Sequence, residues 1–134
     1  MANLYKVFIS HSWDYVNDLN NLRNLLEQRG YFKTFFQEAS PNEPINSVNT
    51  EYIKRVLRLK IAESNIILGI AGMYASHSTW MDWELQTAVN HNIPIVGVIP
   101  RGQEKISLVV SSRSKENVYW NTESIVAAIR KHAI

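Results

Sequence analysis

Residues 64–71 read "SNIILGIA". After two polar residues the run is apolar without interruption, and it is strand-sized. A strand with one wet face alternates polar and apolar residues. An unbroken apolar run is expected of a central strand covered on both faces, as in a parallel sheet flanked by helices. The neighbouring segments agree. On the amino-terminal side, residues 50–62 place Ile53, Val56, Leu57 and Ile61 at helical spacing. On the carboxyl-terminal side, Ser78 is a good N-cap for a helix over roughly 79–91.

The same alternation extends to both ends of the chain. "LYKVFIS" (4–10) is β-branched and aromatic, and reads as the first strand. Asp14 can cap a helix whose apolar residues Tyr15, Leu19, Leu22 and Leu26 share a face, and Gly30 is suited to stop it as the C′ residue. "YFKTFF" (31–36) is the second strand. "QEASPNEPINSVN" (37–49) is a loop, with two prolines and many turn formers. "IPIVGVI" (93–99) is the fourth strand, and "NVYW" (117–120) a short fifth. Between these, "EKISLVVSS" predicts a short helix or an irregular segment. Asn121 caps a last helix from Thr122 to about His132, with Ile125, Val126 and Ile129 inward and Arg130, Lys131 and His132 at its negative end. Strands alternating with helices imply βαβ units. Five of them predict an α/β, flavodoxin-like, doubly wound parallel sheet in the order 2-1-3-4-5, with helices on both faces.

The 134 residues suit one domain, 1–134, on a prior of ~100–200 residues each. Cysteine is absent, which excludes disulfides, zinc thiolates and a cysteine nucleophile and fits a reducing cytoplasm. "MANLYKVFISHSW" lacks the parts of a signal peptide, and no apolar run approaches a membrane span. A soluble cytoplasmic protein is the expectation. The net charge of +2 does not argue for nucleic acid. Lys54, Arg55, Arg58 and Lys60 read as the solvated face of an amphipathic helix.

On the expected fold, ligands bind at the carboxyl ends of the strands. Those ends carry Ser10-His11-Ser12-Trp13 after the first strand and residues 71–78 after the third. The acidic pair of a receiver domain is missing there. So are a P-loop, a G-x-G-x-x-G fingerprint and a G-x-S-x-G nucleophile elbow. The four histidines show no metal-ligand spacing.

"HSTWMDWELQTAV" (77–89) holds the remaining candidate. Met81, Leu85, Ala88 and Val89 make the core stripe of its helix. Trp80 and Glu84 stand at i, i+4 on one flank, near the ligand-binding edge. An acid beside a large apolar ring is partly desolvated, which raises its pKa. An exposed Glu near a positive helix end is the plain alternative, and the residues alone leave both open. Trp83 points to another side. It either packs at the edge of the core or marks a self-association surface.

These segments resemble Toll/interleukin-1 receptor (TIR) domains. "KVFISHSWDY" resembles their opening strand with its Ser-His pair, and "YASHSTWMDWEL" resembles their W-x-x-x-E segment. "VYWNTESIVAAIR", with Trp80 and Trp83, is most similar to the TIR-like proteins of bacterial Thoeris anti-phage defence. Many TIR domains carry Cys where this chain has Met81, and the 37–49 loop lacks the pattern of receptor adaptors.

The resemblance implies an enzyme that cleaves the nicotinamide–ribose bond of NAD⁺ as substrate, with no cofactor. It implies that the product is a cyclic ADP-ribose-type signal, through which a diffusible nucleotide reaches a downstream effector. The catalytic Glu falls on Glu84. Ser10 and His11 fall in the pocket wall, with Ser12, Gln37 and Trp80 as further substrate contacts. The loop from Gln37 to Asn49 corresponds to a mobile segment over the site and, with Trp83, to a self-association contact. Two other readings compete: a non-catalytic TIR-type scaffold, and a nucleoside deoxyribosyltransferase-like enzyme with Glu84 as covalent nucleophile.

Overall fold

A strand and a helix alternate five times in the computed structural model, which describes residues 4–11, 16–37, 49–70, 79–103 and 107–134. The elements are β1 (Leu4–His11), α1 (Val16–Glu27), β2 (Lys33–Phe36), α2 (Thr50–Ala62) and β3 (Ile66–Ile70). They continue with α3 (Thr79–Asn90), β4 (Ile95–Ile99), α4 (Leu108–Ser111), β5 (Glu116–Tyr119) and α5 (Thr122–His132). The strands form one sheet in the order β2-β1-β3-β4-β5, and every pair is parallel. This is the expected doubly wound architecture. β3 and β4 are buried at every position, whereas the edge strand β2 alternates exposed and half-buried residues.

Side chains alternate across a strand, so the sheet sorts its residues into two cores. Val7, Ile9, Leu68 and Val98 face α1 and α5, where Leu19, Leu22, Leu26, Ile125 and Ile129 meet them. Phe8, Ile67 and Ile95 face the other way, against Leu57 and Ile61 of α2, Met81 and Leu85 of α3, and Val110 of α4. Each fully buried Leu or Ile contributes ~1.5–3 kcal/mol of transfer free energy.

The row Ser10, Gly69, Gly97 runs across β1, β3 and β4 in register. It lies on the α2–α3–α4 side by alternation from Phe8, Ile67 and Ile95. A Cβ on Gly69 would lie 3.2 Å from both methyl carbons of Val110 and 3.7 Å from the Met81 Cε. The missing side chain is what lets α3 and α4 settle this close to the strands.

Asn121 caps α5 as expected, its side chain accepting from the Ser124 N–H at 3.0 Å. Asn49 does the same for α2 with Tyr52, at 3.1 Å. Three local expectations are corrected. The left-handed residue after α1 is Tyr31, at φ 57°, and not Gly30. β2 accordingly begins at Lys33, after that turn, and not at residue 31. Val89 is 42% exposed and Thr87 is buried, one turn beyond Trp83 on the flank of α3 that faces α2. The Thr87 hydroxyl is satisfied by donating to the Trp83 carbonyl at 2.8 Å. The ambiguous segment before β5 contains the one-turn α4. The caps assigned to Asp14 and Ser78 lie outside the described residues. Among the described residues no helix is long and apolar enough to cross a membrane.

Candidate active site

β1 ends at the carboxyl edge of the sheet, where the topology reverses between β1 and β3. Ser10 is fully buried there. It follows Phe8 on the α3 side, opposite Gly69 in the ladder. With no side chain at Gly69, α3 packs close enough for a serine to bridge the remaining gap. The Ser10 hydroxyl donates to Glu84 Oε1 at 2.8 Å. The two residues are 74 positions apart in the chain.

Glu84 is half-buried. Met81 and Leu85 of the same helix are fully buried against the sheet, so Glu84 sits on the flank of the packed stripe. A hydrogen bond to an ionised group contributes ~1.5–3 kcal/mol. It also fixes the orientation of the carboxylate. In this contact Ser10 is the donor and Glu84 the acceptor. A half-buried carboxylate held in one orientation at this edge can stabilise a developing cation.

Trp80 stands one turn before Glu84, half-buried at the rim of the same core. Its ring meets that of Trp83 edge-on, with centroids 6.1 Å apart at 83°. Trp83 is half-buried and not an exposed hot spot. It packs on α2, where Lys54 Nζ lies 5.7 Å and Arg58 Cζ 5.8 Å from its ring centroid. The basic residues expected to be merely solvated therefore clamp α2 to α3, since cations are attracted to the face of an indole.

The other predicted site residues distribute unevenly. Alternation from Val7 and Ile9 sends His11 to the α1–α5 side, away from the face that carries Ser10 and Glu84. Burial pushes its imidazole below the usual range, opposed by a hydrogen bond with the backbone of Ile9. Gln37 is buried, and its backbone N–H donates to the Val7 carbonyl at 2.8 Å, extending the β1–β2 ladder. The same alternation, from Phe36 beside Val7, turns Gln37 to the Ser10 side. Ser12 and residues 38–48 of the loop lie outside the described residues. Among the described residues no group of three or more His, Cys, Asp or Glu could hold a metal ion.

Two supporting residues escaped the sequence reading. Gly69 had a signal, because a glycine inside an apolar strand often marks close backbone approach. Arg113, beyond α4, had none. It donates to Asp82 Oδ1 at 2.8 Å, to Gln86 Oε1 at 3.3 Å and to the Val109 carbonyl at 2.8 Å. It thereby ties α3 to α4.

The family model of the Thoeris protein ThsB, TIR-like domain, matches residues 8–105. No curated protein sequence matches the chain. Among solved structures it is similar to a 2-deoxyribosyltransferase from Bacillus psychrosaccharolyticus, at 17% identity over 90% of this chain and 89% of that one, with a TM-score of 0.56. It is also similar to the CMP N-glycosidase BcmB of Clostridium botulinum, at 13% identity, 94% and 98% coverage and TM-score 0.57. A putative pilus assembly-related protein from Burkholderia pseudomallei aligns at 11% identity over 96% and 88%, with TM-score 0.57. At these identities the likeness is one of fold.

Proposed function

The chain belongs to the Thoeris ThsB TIR-like family, and on that premise we propose that it cleaves the nicotinamide–ribose bond of NAD⁺ with Glu84 as the catalytic carboxylate. The single observation carrying this reading is the 2.8 Å hydrogen bond from Ser10 to Glu84 at the carboxyl edge of the sheet. It joins the two motifs that the family resemblance singles out.

Nicotinamide leaves as a neutral molecule. The C1′–N bond breaks, its electron pair returns to the pyridine nitrogen, and no general acid is needed. The remaining ribose carries an oxocarbenium-like charge. Glu84 lies where it can stabilise that charge, by the logic of glycoside cleavage. Ser10 orients the carboxylate and keeps one oxygen aimed. Trp80 supplies an apolar wall for the nicotinamide or ribose, and Gln37 a polar group on the same face. Water captures the cation to give ADP-ribose. Where water is kept out, a hydroxyl or the adenine of the same molecule captures it, giving a cyclic ADP-ribose-type product able to diffuse to an effector protein in the cytoplasm. The 37–49 loop is the segment assigned to exclude water.

The test is nicotinamide release by purified Glu84→Gln. Preorganised charge at a reacting centre is worth about 10²–10³ in rate, and a loss of that order is expected. Equal rates for variant and wild type would sink the mechanism.

A second reading is suggested by the structural neighbours, one of which is described as a 2-deoxyribosyltransferase and another as a CMP N-glycosidase. In it Glu84 attacks C1′ of a nucleoside, the C1′–N bond breaks with its electron pair leaving on the nucleobase, which takes up a proton from solvent, and a covalent glycosyl ester remains. Intact mass spectrometry after incubation with a deoxynucleoside separates the two: an adduct on Glu84 supports this second reading, and turnover of NAD⁺ without one supports the first. Silence with both substrates favours a scaffold.

A further inference from the structure

The opposite end of the sheet carries a separate feature. We propose that a cavity at the amino-terminal edge of β4 and β5 binds a small phosphorylated metabolite of mononucleotide size. The inference stands apart from the NAD⁺ reading, because the cavity shares no residue with the Ser10–Glu84 edge.

The cavity holds about 620 Å³, within the ~300–1,000 Å³ typical of small-molecule sites. Val89 and Ile134, both exposed, give it an apolar side, and Arg113, Lys115 and His132 line it with bases. No Asp or Glu is among its described lining residues. Two of the bases already have partners: Arg113 pairs with Asp82 at 2.8 Å, and His132 with Glu116 at 2.9 Å. Lys115 is exposed and makes no ion pair among the described residues. Its backbone is held by the sheet, since its N–H donates to the Ile95 carbonyl at 2.7 Å. With Arg113 and His132 each engaged by an acid, Lys115, fixed at its root, is the base left to meet a phosphate by a charge-assisted contact. The apolar side suits a base or another flat apolar group attached to that phosphate. Val89, exposed on α3, lines the same cavity and explains why that position is apolar yet outside the core.

The test is calorimetric titration of the whole protein with AMP and, separately, with inorganic phosphate. AMP binding is expected to be tighter than phosphate binding. Lys115→Glu should weaken both by about tenfold or more, by replacing an attraction with a repulsion. Val89→Trp, which fills the cavity from an exposed position, should weaken AMP and spare phosphate. Circular dichroism and melting temperature confirm that both variants fold. The assignment is overturned if neither probe binds at millimolar concentration, if AMP binds no tighter than phosphate, or if both variants bind AMP as wild type does.

Discussion

The two faces of the sheet use the same strands for different ends. On the α1–α5 side the fully packed strand residues, from Val7 and Ile9 to Val98 and Val118, are all aliphatic, and the helices answer mostly with leucines and isoleucines. On the α2–α3–α4 side the same strands carry Phe8, Ile67 and Ile95. Towards the carboxyl edge they shrink to Ser10 and Gly69. Into that space α3 brings a carboxylate. One face is built for stability alone. The other gives up apolar contact at one end so that a polar pair can sit at the edge where this fold binds ligands. The lesson is that a site is made by removing side chains as much as by adding them.

Substitutions on the two faces should therefore separate folding from activity. The largest loss of stability is expected for Leu22→Ala on the aliphatic face. A fully buried leucine truncated to alanine costs ~2–5 kcal/mol. Denaturant unfolding measures that cost, and nicotinamide release by the fraction still folded should stay at the wild-type level. If activity of the folded fraction falls as far as it does for Glu84→Gln, the two faces are not separable.

Gly69→Ala comes next. Its new methyl group would meet Val110 at 3.2 Å, so α4 or α3 has to shift, at ~1–3 kcal/mol for overpacking. A shift of α3 lengthens the Ser10–Glu84 bond, and activity should drop by more than the loss of folded protein explains. Full activity would mean that Val110 yields alone.

Ser10→Ala leaves the carboxylate one donor short inside a half-buried site. About 1–3 kcal/mol is at stake when a buried polar partner is removed. A fall in kcat with KM nearly unchanged is the expected pattern, because Ser10 positions Glu84 and need not hold substrate. A rise in KM alone would instead make Ser10 a binding residue.

The smallest effect belongs to His11. Burial holds it below the ordinary histidine value of 6.5, so it is neutral in the folded protein at neutral pH. Below pH 6.5 the unfolded chain takes up a proton that the folded chain refuses. This contribution to stability is complete above that pH and is lost as pH falls through the folded pKa. Melting curves of wild type and His11→Asn between neutral and mildly acid pH should converge on acidification, the variant losing less. Parallel curves would show that His11 titrates equally in both states.

Much of this organisation was legible in local pattern. The unbroken apolar run at 66–70, the alternation of strands with helices and the Asn121 cap depend on neighbouring residues, and each appears as read. The turn before β2 did not, because Gly30 looks like the natural left-handed residue while Tyr31 adopts that conformation. Trp83 looked able to serve as an exposed patch until α2 supplied Lys54 and Arg58 to cover it. His11 and Ser10 are adjacent in sequence, and one motif covers both. The pleat of β1 sends them to opposite sides.

Periodicity alone could bring Trp80 next to Glu84, since both lie on one helix. It could not bring Ser10 to Glu84. That contact depends on the β1–β3 register, on the absence of a side chain at Gly69 and on how deeply α3 rests on the sheet. Element order and the parallel sheet are set by short-range chemistry, which a sequence displays directly, while Glu84 became the candidate acid through the family resemblance. The pairing of that acid with a serine 74 residues away is decided by packing, because only the folded chain determines which faces meet and how closely.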